Sequence, residues 1–257
     1  MKFFKKVIAG AAVAVMVTSG NAAMQTVGGV NWNPAALTDF IGASDTAYQT
    51  TTSTGIPSGY GLITAINGLS SFCSGCELTY TFSGFTPAGA PETAVGRTYV
   101  PLLGGVFNIY VDSSMDGTVP GTLNATTAGN GTLWLSMVGH TIPAGYSLIG
   151  SFSSNLLPSE NSNTLTGVGY LDVVTGPAGG LAAASFNTNT KLDGADFALT
   201  SGFTTNADDG IYTGLASFKV GTASFSGDSI QVPEPGSLAL VGLGLLGLAA
   251  SRRRKSV

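Results

Sequence analysis

Cys73 and Cys76 are the only cysteines of this 257-residue chain, spaced as Cys-x-x-Cys. That spacing serves three chemistries: a small structural disulfide, thiol–disulfide exchange, or half of a zinc site. Zinc needs two further nitrogen or sulfur ligands, and the chain holds one histidine, His140. Thioredoxin-like exchange places the pair at a helix N-terminus after a strand, whereas here a strand-like run follows the pair. In an oxidising compartment two isolated thiols three residues apart close on each other. So small a loop contributes about 2 kcal/mol in the chain-entropy account, and it would pin the turn that enters the Glu77 strand.

Other residues could act in different ways. His140 could serve a Ser-His-Asp hydrolase, but no serine lies in the Gly-x-Ser-x-Gly elbow that marks such a nucleophile, and a satisfied loop or edge histidine is the simpler reading. Glu77, Glu92 and Glu160 could supply the paired carboxylates of glycoside hydrolysis, whose test is a separation in space. Asp112-Ser113-Ser114-Met115-Asp116-Gly117 begins like a calcium loop, with oxygens at the first, third and fifth places and glycine at the sixth. Its twelfth place is Leu123, so no EF-hand is formed. Asp208 and Asp209, near Asp193 and Asp196, make a second acidic area. Either place could bind calcium, and aspartate in turns is also ordinary turn chemistry; beyond calcium, no cofactor is expected. Trp32, Trp134 and the eight tyrosines offer faces on which sugar rings could stack.

The elements that must position these residues read as strands. Glu77 to Ser83 alternates Leu78, Tyr80 and Phe82 against threonines, a half-buried strand. Similar runs occur at Tyr60–Ile66, Val106–Val111, Thr132–Val138, Tyr146–Phe152, Gly169–Val174, Asp196–Thr200 and Ile211–Val220, separated by turn clusters such as Asn130-Gly131. Short helices are predicted at Pro34–Ile41 and Leu181–Phe186, and an irregular loop at Gln49–Ser58. No fixed period recurs. The pattern predicts an all-β protein with one β-sandwich or jelly-roll-like domain.

Both ends differ from this body. Lys2, Lys5 and Lys6 precede an apolar stretch from Val7 to Val17 and small residues up to Ala23, a secretory signal peptide cut after Ala22 or Ala23. At the other end Val232-Pro233-Glu234-Pro235 precedes an apolar run from Leu238 to Ala250, and Arg252, Arg253, Arg254 and Lys255 follow. The two prolines make an extended linker, the apolar run a short helix, and the cations a stop at the cytoplasmic face. Thirteen apolar residues reach about 20 Å against a hydrocarbon core of about 30 Å, which suits a transient anchor. The domains are thus 1–23, 24–231 and 232–257. Seven of the ten basic residues lie in the two terminal segments, so three stand against the fourteen acidic ones that run from Asp39 to Glu234, a formal charge of −11 for that middle portion. So acidic a body repels nucleic acid and anionic lipid; the membrane is met through the C-terminal tail.

The C-terminal pattern resembles the PEP-CTERM sorting signal of exported proteins in Gram-negative bacteria that make exopolysaccharide, a tail also labelled an ice-binding-protein C-terminal domain. The resemblance implies delivery by the export translocon, passing anchorage in the inner membrane, and cleavage near Pro-Glu-Pro by an exosortase-type processing enzyme. The product would reside at the cell surface or outside the cell. The runs Phe72–Phe82, Val106–Asp112 and Gly131–Leu135 are similar to segments of one group of PEP-CTERM proteins, with no established activity to carry over. The function expected is a non-catalytic surface or extracellular-matrix component, associated with exopolysaccharide; the alternative is a secreted glycan-active enzyme, a carboxylate-based glycoside hydrolase.

Overall fold

The computed structural model describes residues 24–36, 39–51, 56–94, 96–118, 121–153, 164–204, 217–230 and 244–245. The signal peptide, Asp208, Asp209, Glu160, the Val232–Pro235 motif and the Arg252–Lys255 stop lie outside the described residues. Of the expected tail helix the described residues are Gly244 and Leu245, both helical. Among the described residues no helix is long and apolar enough to cross a membrane. Residues Met24–Ile230 make one compact unit.

Thirteen described strands run in chain order: β1 (Gln25–Val27), β2 (Val30–Trp32), β3 (Phe40–Thr51), β4 (Pro57–Ile63), β5 (Ala65–Ile66), β6 (Glu77–Pro87), β7 (Glu92–Ala94), β8 (Arg97–Asp112), β9 (Thr132–Gly139), β10 (Leu148–Ser153), β11 (Thr164–Val173), β12 (Phe197–Thr204) and β13 (Ser217–Gly227). The all-β class holds, and its form is a closed antiparallel sheet. Eight strands follow one another as β10, β11, β12, β13, β3, β4, β6 and β8, and β8 then pairs with β10 to complete the ring. Between β8 and β11 one end is bridged by β10 and the other by β9.

Eight antiparallel strands enclose a space that side chains can fill, and aromatic residues fill it. Tyr80 and Phe82 of β6 point inward with Phe107 of β8 and Phe225 of β13; Phe82 stacks on Phe107 with ring centres 5.2 Å apart, and Tyr80 meets Phe225 edge-on at 5.2 Å. Glycine makes room for them. Gly61 lies opposite Tyr80, and a Cβ there would stand 2.4 Å from the tyrosine ring. What remains between Gln49, Phe82, Phe107, Leu148 and Leu199 is a cavity of about 30 Å³, room for about one water rather than the several hundred Å³ of a ligand pocket.

A second aromatic cluster joins Trp32, Phe40, Trp134, Phe186 and Phe197, with Trp32 stacked on Phe186 at 5.1 Å and Phe40 against Phe186 at 4.9 Å. Phe186 ends helix α1 (Ala183–Phe186), inside the expected Leu181–Phe186 segment. The helix expected at Pro34–Ile41 is not formed. Asn33 accepts the Ala35 amide on Oδ1 and the Ala36 amide on its carbonyl, making a turn, and Phe40 opens β3. Burial of Phe40 in the aromatic cluster outweighs the helix propensity of two alanines. The irregular loop expected at Gln49–Ser58 is also shorter, because β3 runs to Thr51 and β4 starts at Pro57.

Candidate functional site

Two places bring chemistry-bearing residues together. The first is where the chain leaves the folded body. Ser229 donates its amide to Asp39 Oδ2 and its hydroxyl to Asp39 Oδ1 at 2.8 Å, while Trp32 Nε1 donates to Ser229 Oγ at 3.0 Å; all three residues are buried. The Ile230 amide donates to the Ser185 carbonyl at 2.8 Å, and Gln25 Nε2 donates to the Ile230 carbonyl at 2.6 Å. The two ends of the body are therefore stapled to each other. Burial raises the Asp39 pKa above its ordinary 3.8; hydrogen bonds from Ser229 oppose this, Asp228 adds to it, and Lys191 opposes it. Sequence reasoning missed this network, because 190 residues separate its partners.

The second place is a carboxylate cluster. Glu77, the first residue of β6, pairs in register with Asp112, the last of β8. The Cys73–Cys76 disulfide, with Cα atoms 5.4 Å apart, ends immediately before Glu77 and fixes the entry to β6. After Asp112 the chain turns: Ser114 donates its amide to Asp112 Oδ1 at 2.9 Å and its hydroxyl to Oδ2 at 2.7 Å. The Gly117 amide donates to Glu77 Oε1 at 2.9 Å, and Asn130 Nδ2 donates to Asp116 Oδ2 at 2.9 Å. One carboxylate oxygen from each of Glu77, Asp112 and Asp116 lies within 4.8 Å of the others. Glu77 is 2% exposed.

The electrostatics of this cluster are uneven. Burial pushes the Glu77 carboxyl up from its ordinary value; the amides of Gly117 and Thr118 oppose this, and Asp116 and Asp112 push it further. Asp112 moves down, held by the amide and hydroxyl of Ser114. The described cationic side chains of the body are engaged elsewhere, Arg97 with Ser151 and Thr166, and Lys191 with Asp228. Three carboxylates so arranged can hold a hard cation. The sequence offered Asp112 and Asp116 for this and assigned Glu77 to a different chemistry; the cross-strand register supplies the missing link.

The remaining sequence candidates fall apart in space. Glu92 is exposed on β7 opposite Tyr99, and Glu77 sits opposite Asp112 thirteen residues further along β8, roughly 40 Å at strand rise. A glycosidase pair stands about 5–9.5 Å apart, so these two glutamates do not form one. His140 Nδ1 lies 2.8 Å from Asp172 Oδ1, and its amide donates to the Tyr170 carbonyl; among the described residues no hydroxyl reaches the ring. Trp32 and Trp134 are 2% and 0% exposed, which removes both as stacking faces for sugar. A half-buried pair remains on the outer face, Tyr48 of β3 opposite Tyr60 of β4, with ring centres 5.2 Å apart.

Residues 231–255 match the family model of the PEP-CTERM protein-sorting motif. The match begins directly after Ile230, the last residue of the compact unit. No curated protein and no solved structure matches the chain. A motif of this kind implies an exported protein that is anchored in the membrane transiently and processed by an exosortase.

Proposed function

We propose that the chain is the precursor of a non-catalytic component of the cell surface or extracellular matrix, and that its mature body associates with exopolysaccharide. The sorting motif at residues 231–255 carries this reading. In the sequence of events proposed, the export translocon takes the N-terminal segment first and the signal peptide is removed after Ala22 or Ala23. The Leu238–Ala250 run then halts in the membrane with Arg252–Lys255 behind it, and the processing enzyme cuts near Pro233-Glu234-Pro235.

Three observations support a binding or scaffolding role for the body. The barrel interior is packed with aromatic rings. Glu77 of β6 and Glu92 of β7, the described glutamates, lie opposite positions of β8 thirteen residues apart and form no pair with each other. The Tyr48–Tyr60 pair presents aromatic area on the outer wall, where sugar rings can stack.

The test is to express the full chain in its host with and without the processing enzyme, and to follow it by intact mass and cell fractionation. The reading expects a mature form lacking Met1 and Val257 outside the inner membrane, and a membrane-bound form retaining residues 232–257 when the enzyme is missing. A cytosolic product with both termini intact refutes it. Retention of the mature form on the host's polysaccharide, weakened by Tyr48→Ala with Tyr60→Ala, supports the exopolysaccharide part. Release of reducing sugar from that polysaccharide would instead establish the glycan hydrolase.

A further inference from the structure

We propose that Glu77, Asp112 and Asp116 form a calcium site that locks the long loop between β8 and β9 onto the end of the barrel. Three independent features converge on it.

The first is an oxygen set of the right size. Calcium takes oxygen ligands at 2.3–2.6 Å, so two oxygens on one ion stand at most about 5 Å apart. The three carboxylates lie within 4.8 Å of one another. Magnesium, at 2.0–2.1 Å, draws its ligands to within about 4.2 Å and demands stricter geometry.

The second is a buried carboxylate oxygen without a partner on a residue of the cluster. Glu77 Oε1 accepts the Gly117 amide, but Glu77 Oε2 is buried with no hydrogen-bond partner among the described residues, and so is Asp116 Oδ1. Those are two of the three residues that converge. A buried acceptor left unmade costs about 1–3 kcal/mol, and more when charged. Asn130 holds the other Asp116 oxygen and so turns Oδ1 away from itself.

The third is the chain pattern. Asp112, Ser114, Asp116 and Gly117 occupy the first, third, fifth and sixth places of a calcium loop, but Leu123 stands at the twelfth, where a carboxylate belongs. The fold supplies that carboxylate from another strand. Glu77 lies beside Asp112 across the β6–β8 ladder, and like charges directly opposite on a ladder are destabilising unless something lies between them. Gly117 leaves room: a Cβ there would meet Glu77 Oε1 at 3.0 Å and Leu123 Cδ1 at 3.1 Å. The same loop is fastened to β6 further on, where Thr79 Oγ1 donates to the Ala128 carbonyl at 2.9 Å. An ion at Glu77 adds a second fastening at the other end of the loop.

The affinity fits extracellular modules, Kd about 10⁻⁴ to 10⁻³ M, because few protein ligands contribute and water completes the shell. The inference stands on the body alone and does not depend on the proposed matrix role. Its test is thermal unfolding of the full-length chain in EDTA, in 10 mM calcium chloride and in 10 mM magnesium chloride, with calorimetric titration of calcium chloride. Calcium is expected to raise the Tm by about 5–10 °C if Kd is near 10⁻⁴ M, magnesium by clearly less. Glu77→Gln keeps an oxygen for the Gly117 amide and removes the charge. It is expected to weaken the calcium affinity more than about tenfold and, in EDTA, to melt at or above the wild type, because a buried charge facing two others has gone. Asp116→Asn is the second variant, and Glu92→Gln on exposed β7 the control. An unchanged Tm in calcium, an equal shift with magnesium, or a calcium shift that survives both Glu77→Gln and Asp116→Asn overturns the proposal.

Discussion

Asp39→Ala tests whether the exit of the body is built as described. In the native chain one buried carboxylate accepts both the amide and the hydroxyl of Ser229, and that hydroxyl accepts Trp32 Nε1. Removing the carboxylate leaves the Ser229 amide buried without an acceptor, at a cost of about 1–3 kcal/mol, and loses hydrogen bonds to a charged group worth about 1.5–3 kcal/mol each, which overlap rather than add. A total of about 2–4 kcal/mol is expected. In a domain of this size each kcal/mol moves the Tm by about 2–4 °C, so the variant should melt about 5–15 °C lower, measured by circular dichroism at pH 7. Asp39→Asn retains the shape and one acceptor oxygen and should lose less. The two also separate by pH. Because the folded pKa of Asp39 lies above its ordinary 3.8, its stabilising contribution is complete below 3.8 and declines as pH rises through the folded pKa. The advantage of wild type over Asp39→Asn should therefore be larger in acid than at pH 7. Asp39→Ala melting within a degree or two of wild type, or a wild-type advantage that grows with pH, would refute the network as drawn.

Two further substitutions probe the wall and its entry. Gly61→Val forces a branched side chain toward the Tyr80 ring, which a Cβ alone would approach to 2.4 Å; overpacking of about 1–3 kcal/mol should appear as a lower Tm, and Tyr80→Leu in the same chain should restore part of it. Cys73→Ser with Cys76→Ser should cost about 2 kcal/mol or less, read as a small Tm loss that reduction of the wild type reproduces.

The strand content was legible where inward apolar residues alternate with threonine and serine, as along β6, a period that one face of a sheet requires; the run read at Ile211–Val220 overlaps β13 (Ser217–Gly227) only at its start. Leu78, Tyr80 and Phe82 could be placed on one face from spacing alone, and they are buried. What spacing does not carry is pairing. Closure of the sheet rests on Leu148–Ser153 meeting Arg97–Leu102, a match between segments some fifty residues apart whose sequences complement nothing visibly. The same blindness explains Pro34–Ile41. Local propensity there favours a turn of helix, but Phe40 is claimed by Trp32 and by Trp134 and Phe186, the last two far away along the chain. Glu77 is the clearest case: its type invited a catalytic reading, and only the β6–β8 register shows that its neighbours are two more carboxylates.

The placement of the termini bears on how such a body tolerates its own processing. Gln25 and Ile230 are joined by a hydrogen bond, and Ser229 and Ile230 are tied to Asp39, Trp32 and Ser185. Removing a segment costs a folded domain stability in proportion to the buried and hydrogen-bonded backbone taken with it. The sorting motif begins at residue 231, after the last of these ties, so a cut near Pro233 leaves every one of them in place. The staple also resists fraying: the final described strand, β13, is paired with β3 along Ser217–Gly227 and with β12 along Val220–Gly227, and Ser229 and Ile230 beyond it are held by Asp39, Trp32, Ser185 and Gln25.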